Sequence, residues 1–139
     1  MKRLDNWRSR LSAELDRQRL TPFEWGGHDC ALGFAGGIVE ALTGEDMAAP
    51  YRGTYRSLRS AKAVLRDAGA ADLGDFVATL LPEIDPAQAR IGDLGIIETP
   101  DAFGQGLCMV DASTLLVLTN NGHGHKPRSA MIRAFRVGE

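Results

Sequence analysis

The stretch Phe23-Glu24-Trp25-Gly26-Gly27-His28-Asp29-Cys30-Ala31-Leu32-Gly33-Phe34 passes from a glycine-bearing loop into an apolar run, which sets a thiol at the first turn of a helix. Backbone N–H groups without helical partners, together with the positive end of the helix dipole, favour a thiolate at such a position. Cys30 is therefore a candidate nucleophile, and catalysis requires a general base beside it. Asp29 is the natural N-cap. The helix it opens runs to Leu42, and Gly44 is its C-terminal stop. Inside it Gly33, Gly36 and Gly37 each cost about 1 kcal/mol relative to alanine. Another segment is expected to pack closely against that helix.

Working outward, Leu4, Trp7, Leu11 and Leu15 recur at three- and four-residue steps among charges, the pattern of an amphipathic helix over 4–20. Thr21-Pro22 closes it. Met47 to Thr54 reads as a loop, Ser57 to Ala68 as a helix, and Asp72 caps a short helix through Leu80. After Pro86 the texture changes. Asp93 to Ile97, Gly106 to Val110, Thr114 to Leu118 and Met131 to Val137 are short β-rich segments separated by turn residues. Helices first and strands second predict one α+β domain over 1–139, an antiparallel sheet of four or five strands packed on the Cys30 helix.

The net charge of -2 gives no electrostatic pull toward nucleic acid or an anionic membrane. No apolar run has the length of a membrane span. Charges at Lys2, Arg3, Asp5, Arg8 and Arg10 are incompatible with a signal peptide. Cys30 and Cys108 are then expected as reduced thiols, and the cytosol as the site of synthesis.

Two sets of motifs carry a resemblance. Gly27-His28-Asp29-Cys30 opening a helix, followed by Arg90-Ile91-Gly92-Asp93-Leu94 opening a sheet, resembles the NlpC-type branch of papain-like cysteine peptidases. Trp25-Gly26-Gly27-His28-Asp29-Cys30, Thr43-Gly44, Tyr51-Arg52-Gly53-Thr54-Tyr55 and Ala134-Phe135-Arg136-Val137 look like a small family encoded by tailed phages and prophages. The first resemblance implies a compact papain-like fold and cleavage of cell-wall peptides by Cys30, with a histidine on the second sheet strand as base. The second implies a tail-tip or tail-assembly component, made in the bacterial host cytoplasm and carried into the virion tail, with other tail proteins as partners. The chain departs from the peptidase pattern where that base belongs: Phe103-Gly104-Gln105-Gly106-Leu107-Cys108-Met109-Val110 contains no histidine.

Three histidines are present. His28 lies two residues before Cys30 on the entry loop, an awkward place for a base. His123 and His125 sit in Asn120-Asn121-Gly122-His123-Gly124-His125-Lys126-Pro127, a polar, hairpin-like connection. This connection is either a solvated loop or a flap that carries an imidazole to Cys30 from a non-standard position. No Cys-x-x-Cys or His-Glu-x-x-His spacing marks a metal site, and no phosphate-binding glycine pattern marks a cofactor. Cys108, between Leu107 and Met109, reads as core. Asp93 closes a turn ahead of its strand. Trp7 and Trp25 read as core or lid residues, and Tyr51 to Arg59 combines tyrosines and arginines of the kind enriched at protein–protein contacts.

Two functions from different classes follow. One is a tail-associated protein that keeps a peptidase scaffold without its base. The other is an active cysteine peptidase or amidase, with Cys30 as nucleophile, His123 or His125 as base, and peptidoglycan peptides as substrate.

Overall fold

A computed structural model describes residues 1–138. Helix α1 (Trp7–Arg19) begins later than the apolar spacing predicts. Leu4 is outside it and exposed, and its backbone N–H donates instead to the Leu42 carbonyl at 2.8 Å. Asp29 is extended (φ -110°, ψ -175°) and caps a π-helical turn, Cys30–Ala35, which continues directly into α2 (Gly36–Thr43). In that turn the Phe34 N–H donates to the Asp29 carbonyl at 3.0 Å, five residues back. Gly44, at φ +82°, adopts the left-handed conformation that ends α2.

The close packing expected of the helix glycines is found. A β-carbon on Gly33 would strike His28, one on Gly36 would press on Ala48, and one on Gly37 would strike Glu14 of α1. Arg10 of α1 reaches the other way and donates to the Ala41 carbonyl of α2 at 2.7 Å. Helix α3 (Leu58–Asp67) opens with a reciprocal Ser57–Ser60 capping box, and α4 (Leu73–Ala78) with the Asp72 carboxylate accepting from the Asp75 N–H.

The sheet is wholly antiparallel and has six strands rather than four or five: β1 (Glu83–Ile84), β2 (Leu94–Glu98), β3 (Gln105–Val110), β4 (Thr114–Thr119), β5 (Gly122–Pro127) and β6 (Met131–Phe135). Their spatial order is β1-β6-β2-β3-β4-β5. The two additions are the edges. Strand β1 has only two residues. Strand β5 is the polar connection of the sequence reading; glycine, histidine, lysine and proline are weak strand formers, and its strand form comes from pairing along the whole of β4.

Period-two alternation gives the sheet two apolar faces. Ile96, Leu107, Met109 and Phe135 meet Phe34, Ile38 and Leu42 in the main core. Ile97, Cys108, Val110, Leu115, Val117 and Ala134 form a second cluster on the other face. Cys108 is thus core, as its neighbours predict, and on the face away from α2. Among the described residues no helix is long and apolar enough to cross a membrane.

Candidate functional site

The head of the Cys30 helix is held by one carboxylate. Asp29 is 1% exposed, and its Oδ1 accepts from the Ala31 and Leu32 N–H groups at 3.1 and 2.8 Å. Its Oδ2 accepts from the Gly26 N–H at 3.0 Å and the Tyr55 hydroxyl at 2.6 Å. Gly26 has φ +81°, and any β-carbon there would collide with the Tyr55 carbonyl. The loop, the helix head and the Tyr55 segment are therefore locked together by a single buried group.

Cys30 lines a cavity of about 170 Å³ walled by Trp25, Tyr51, Tyr55, Phe76 and Phe103, with Leu107 of β3 behind it. Although Cys30 keeps part of its surface toward the cleft, desolvation pushes its thiol up to about 11; the Leu107 backbone opposes this, while Asp29 and Asp101 add to it. The dipole advantage of a helix start is outweighed, and the thiol is neutral at pH 7. Cys108, fully buried in the second cluster, is pushed up to about 12 mainly by burial. Both cysteines are free.

None of the three histidines lines this cavity among the described residues. Gln105 stands at the start of β3, where the resemblance places a base. Its Oε1 accepts from the Gly74 N–H at 3.0 Å, and its Nε2 donates to Asp72 at 3.3 Å, which ties β3 to the start of α4. It cannot abstract a proton.

His123 is carried by β5, opposite Leu118, and contacts α1 and Phe34 rather than Cys30. Gln18 of α1 is 2% exposed, and its Nε2 donates to Glu14 and to the Gly33 and Phe34 carbonyls at 2.8, 3.1 and 3.2 Å. With its amide so assigned, the Gln18 Oε1 is an acceptor, so His123 donates from Nε2 at 3.1 Å and its buried Nδ1 has no protein partner. His28 is also buried, pressed on Gly33, with its Nε2 unpartnered. His125 is exposed and shares its Nδ1 with the Thr114 hydroxyl at 3.2 Å. The polar connection is therefore a docked edge strand, and neither of its histidines is brought into the Cys30 cleft. Among the described residues no cluster of three His, Cys, Asp or Glu side chains has the geometry of a metal site.

Burial is the leading cause that lowers both His28 and His123 below the ordinary imidazole value, with Arg17 adding to it at His28 and Arg19 and His125 at His123. Glu14, and Asp29 at His28, oppose the shift. A base held below its unfolded value is less protonated in the native state, so stability is complete above an imidazole pKa of about 6.5 and declines as pH falls through that value toward the lowered ones. The urea midpoint is expected to fall between pH 7.5 and 5.0, and His123→Phe, which cannot charge, to flatten that slope. An equal slope in wild type and variant would refute the assignment.

Trp25, Tyr51 and Tyr55 stand out in the sequence, but their convergence is a product of the fold, as is the arrival of Phe76 and Phe103, which carry no local signal. The chain belongs to the family described as a domain of unknown function (DUF6950), which matches residues 2–137. A search of curated proteins found none that matches the chain.

Proposed function

We propose that this DUF6950 member is a phage tail-associated protein with a compact papain-like scaffold of the NlpC kind, whose Cys30 cleft binds and does not cut. Support for the scaffold comes from the Cys30 helix packed on an antiparallel sheet and from the motifs at 27–30 and 90–94. The tail association rests on the motif combination at 25–30, 43–44, 51–55 and 134–137.

The observation that carries the non-catalytic reading is Gln105. It occupies the position expected of the base and is committed to Asp72 and Gly74, beside a cleft without an imidazole. A neutral thiol lacking a proton acceptor has no route to an acyl-enzyme. The peptidase alternative keeps one point in its favour, the thiol at a helix head on the wall of a cavity.

Iodoacetamide labelling of Cys30 in a Cys108→Ala background decides between them. Labelling is expected to keep rising beyond pH 9, following a thiol near 11 rather than the free value of about 8.5. Purified cell wall should release no peptides in the presence of the protein. A labelling midpoint well below 8.5, with hydrolysis abolished by Cys30→Ser, would replace this reading by the peptidase. For the tail role, deletion of the coding sequence from its phage or prophage is expected to yield particles with defective or missing tails under the electron microscope. Normal, infective tails would remove it.

A further inference from the structure

Helix α3 forms one wall of the Cys30 cavity through Ala61, Val64 and Leu65. It is held there by apolar contact alone. Among the described residues, no hydrogen bond or ion pair joins residues 56–71 to the rest of the protein. Those the segment makes close on itself: the Ser57–Ser60 capping box, the Ala70 N–H on the Leu65 carbonyl at 3.0 Å, and Arg66 beside Asp67 at 3.8 Å. Of the ten residues of α3 only Ala61 is buried, against six of the eight in α2.

Both ends of the segment are fixed. Before it, Tyr55 is buried and its hydroxyl donates to Asp29 at 2.6 Å. After it, Asp72 accepts from the Gln105 Nε2 at 3.3 Å and lies 3.7 Å from Arg133. Between these anchors the exit turn stands clear: beyond its own chain neighbours, no atom lies within 4 Å of where a β-carbon on Gly69 would sit. A second, open crevice lined by Lys62, Arg66 and Gly69 shares its Leu65, Leu73 and Phe103 walls with the cavity, so α3 borders space that protein does not fill.

A helix of this length does not persist in water once undocked. A segment with few buried contacts and no bonds to its surroundings opens at a free energy well below that of global unfolding. The cavity that α3 closes is about 170 Å³, room for a single ring, whereas pockets that take a whole ligand run to about 300–1,000 Å³. We infer that α3 is a lid on the Cys30 cleft: residues 56–71 undock as one unit between Tyr55 and Asp72, and the cleft takes its ligand through the side that α3 leaves. The inference rests on the reading that this cleft is where the protein binds, and concerns how that site is entered.

Hydrogen exchange of the full chain, followed by NMR, tests the lid. The amides from Ala61 to Asp67 are expected to share one protection factor, at least about a hundredfold below those of Ile38 to Leu42 in α2. Val137→Ala, in the main core and off the cavity wall, should lower protection in α2 and leave that of α3 unchanged. Ser57→Ala removes a helix cap outside the cavity and should speed exchange across α3 about fivefold. In a Cys108→Ala background, at one pH, it should speed labelling of Cys30 by fluorescein maleimide by the same factor. Equal protection of the two helices, or α3 following α2 in Val137→Ala, would overturn the lid. Labelling that Ser57→Ala leaves unchanged would show that the thiol is reached without moving α3, and would overturn its control of the cleft. Release of peptides from cell wall would replace the non-catalytic reading without altering the exchange pattern, so the two fail separately.

Discussion

Asp93→Ala is expected to lower the unfolding free energy by about 3–5 kcal/mol, the range for removing one partner of a buried ion pair. Asp93 is fully buried. Its Oδ1 accepts from the Val137 N–H at 3.0 Å and from the Arg3 guanidinium at 3.2 Å, and its Oδ2 accepts from the Arg90 N–H at 3.0 Å. Arg136 completes the group, with its Nε 3.2 Å from Oδ2. Burial already lowers the Arg3 pKa against the opposing pull of Asp93, so the carboxylate is what makes a charged Arg3 tolerable there. Without it, a desolvated guanidinium and two backbone donors lose their acceptor together. Asp93→Asn keeps an acceptor oxygen and loses the charge, so its cost should fall between wild type and alanine. Urea unfolding of the three proteins checks the order. A loss below about 1 kcal/mol for alanine would place the residue among ordinary turn-formers.

The second large effect is expected at Asp29. Asp29→Ala removes a helix cap worth about 1 kcal/mol and strands two further donors, the Gly26 N–H and the Tyr55 hydroxyl, at about 1–3 kcal/mol each when buried. Some relaxation toward water is available at the loop, so a total of about 3 kcal/mol is expected in urea unfolding. Tyr55→Phe removes one donor of the same group and should cost about 1–2 kcal/mol. The variants also report on the thiol. Since Asp29 is one of the groups that raises Cys30, Asp29→Asn should move the labelling midpoint of Cys30 downward. The midpoint remains above 8.5 because desolvation, the larger cause, is untouched. An upward move, or alanine and wild type unfolding together, would show that the carboxylate neither holds the loop nor sets the field at the sulfur.

Local chemistry made much of this fold legible. Asp29, Ser57 and Asp72 each cap the helix their side chains announce, and Gly44 ends α2 at positive φ. Strands β2, β3, β4 and β6 carry β-branched and apolar residues that signal themselves. What escaped is held by partners distant in the chain. Strand β5 owes its form to β4 and to the His123–Gln18 bond across 105 residues. The cleft was visible only through Cys30 and its approach loop, because Phe76 and Phe103 join it from α4 and the connection between β2 and β3. Gln105 could be recognised as the wrong residue for a base, but its bond to the head of α4 depends on tertiary geometry. The neutral thiol has the same origin: a helix start alone favours thiolate, and apolar walls built by remote residues reverse the sign.

The π-helical turn between Cys30 and Ala35 puts the head of that helix out of phase with its body. Each residue of an α-helix advances the chain by about 100°, and the turn accommodates one residue more than an α-helical turn would. Phe34 and Ile38, buried in the main core, fix the rotation of the body, and the wide turn lets the sulfur point where an unbroken helix of the same length would not. The direction of Cys30 relative to the helix body is thus set by the wide turn. An unbroken α-helix of the same length, held on the same core face, would swing the thiol by about a quarter of a turn away from the rings that now surround it.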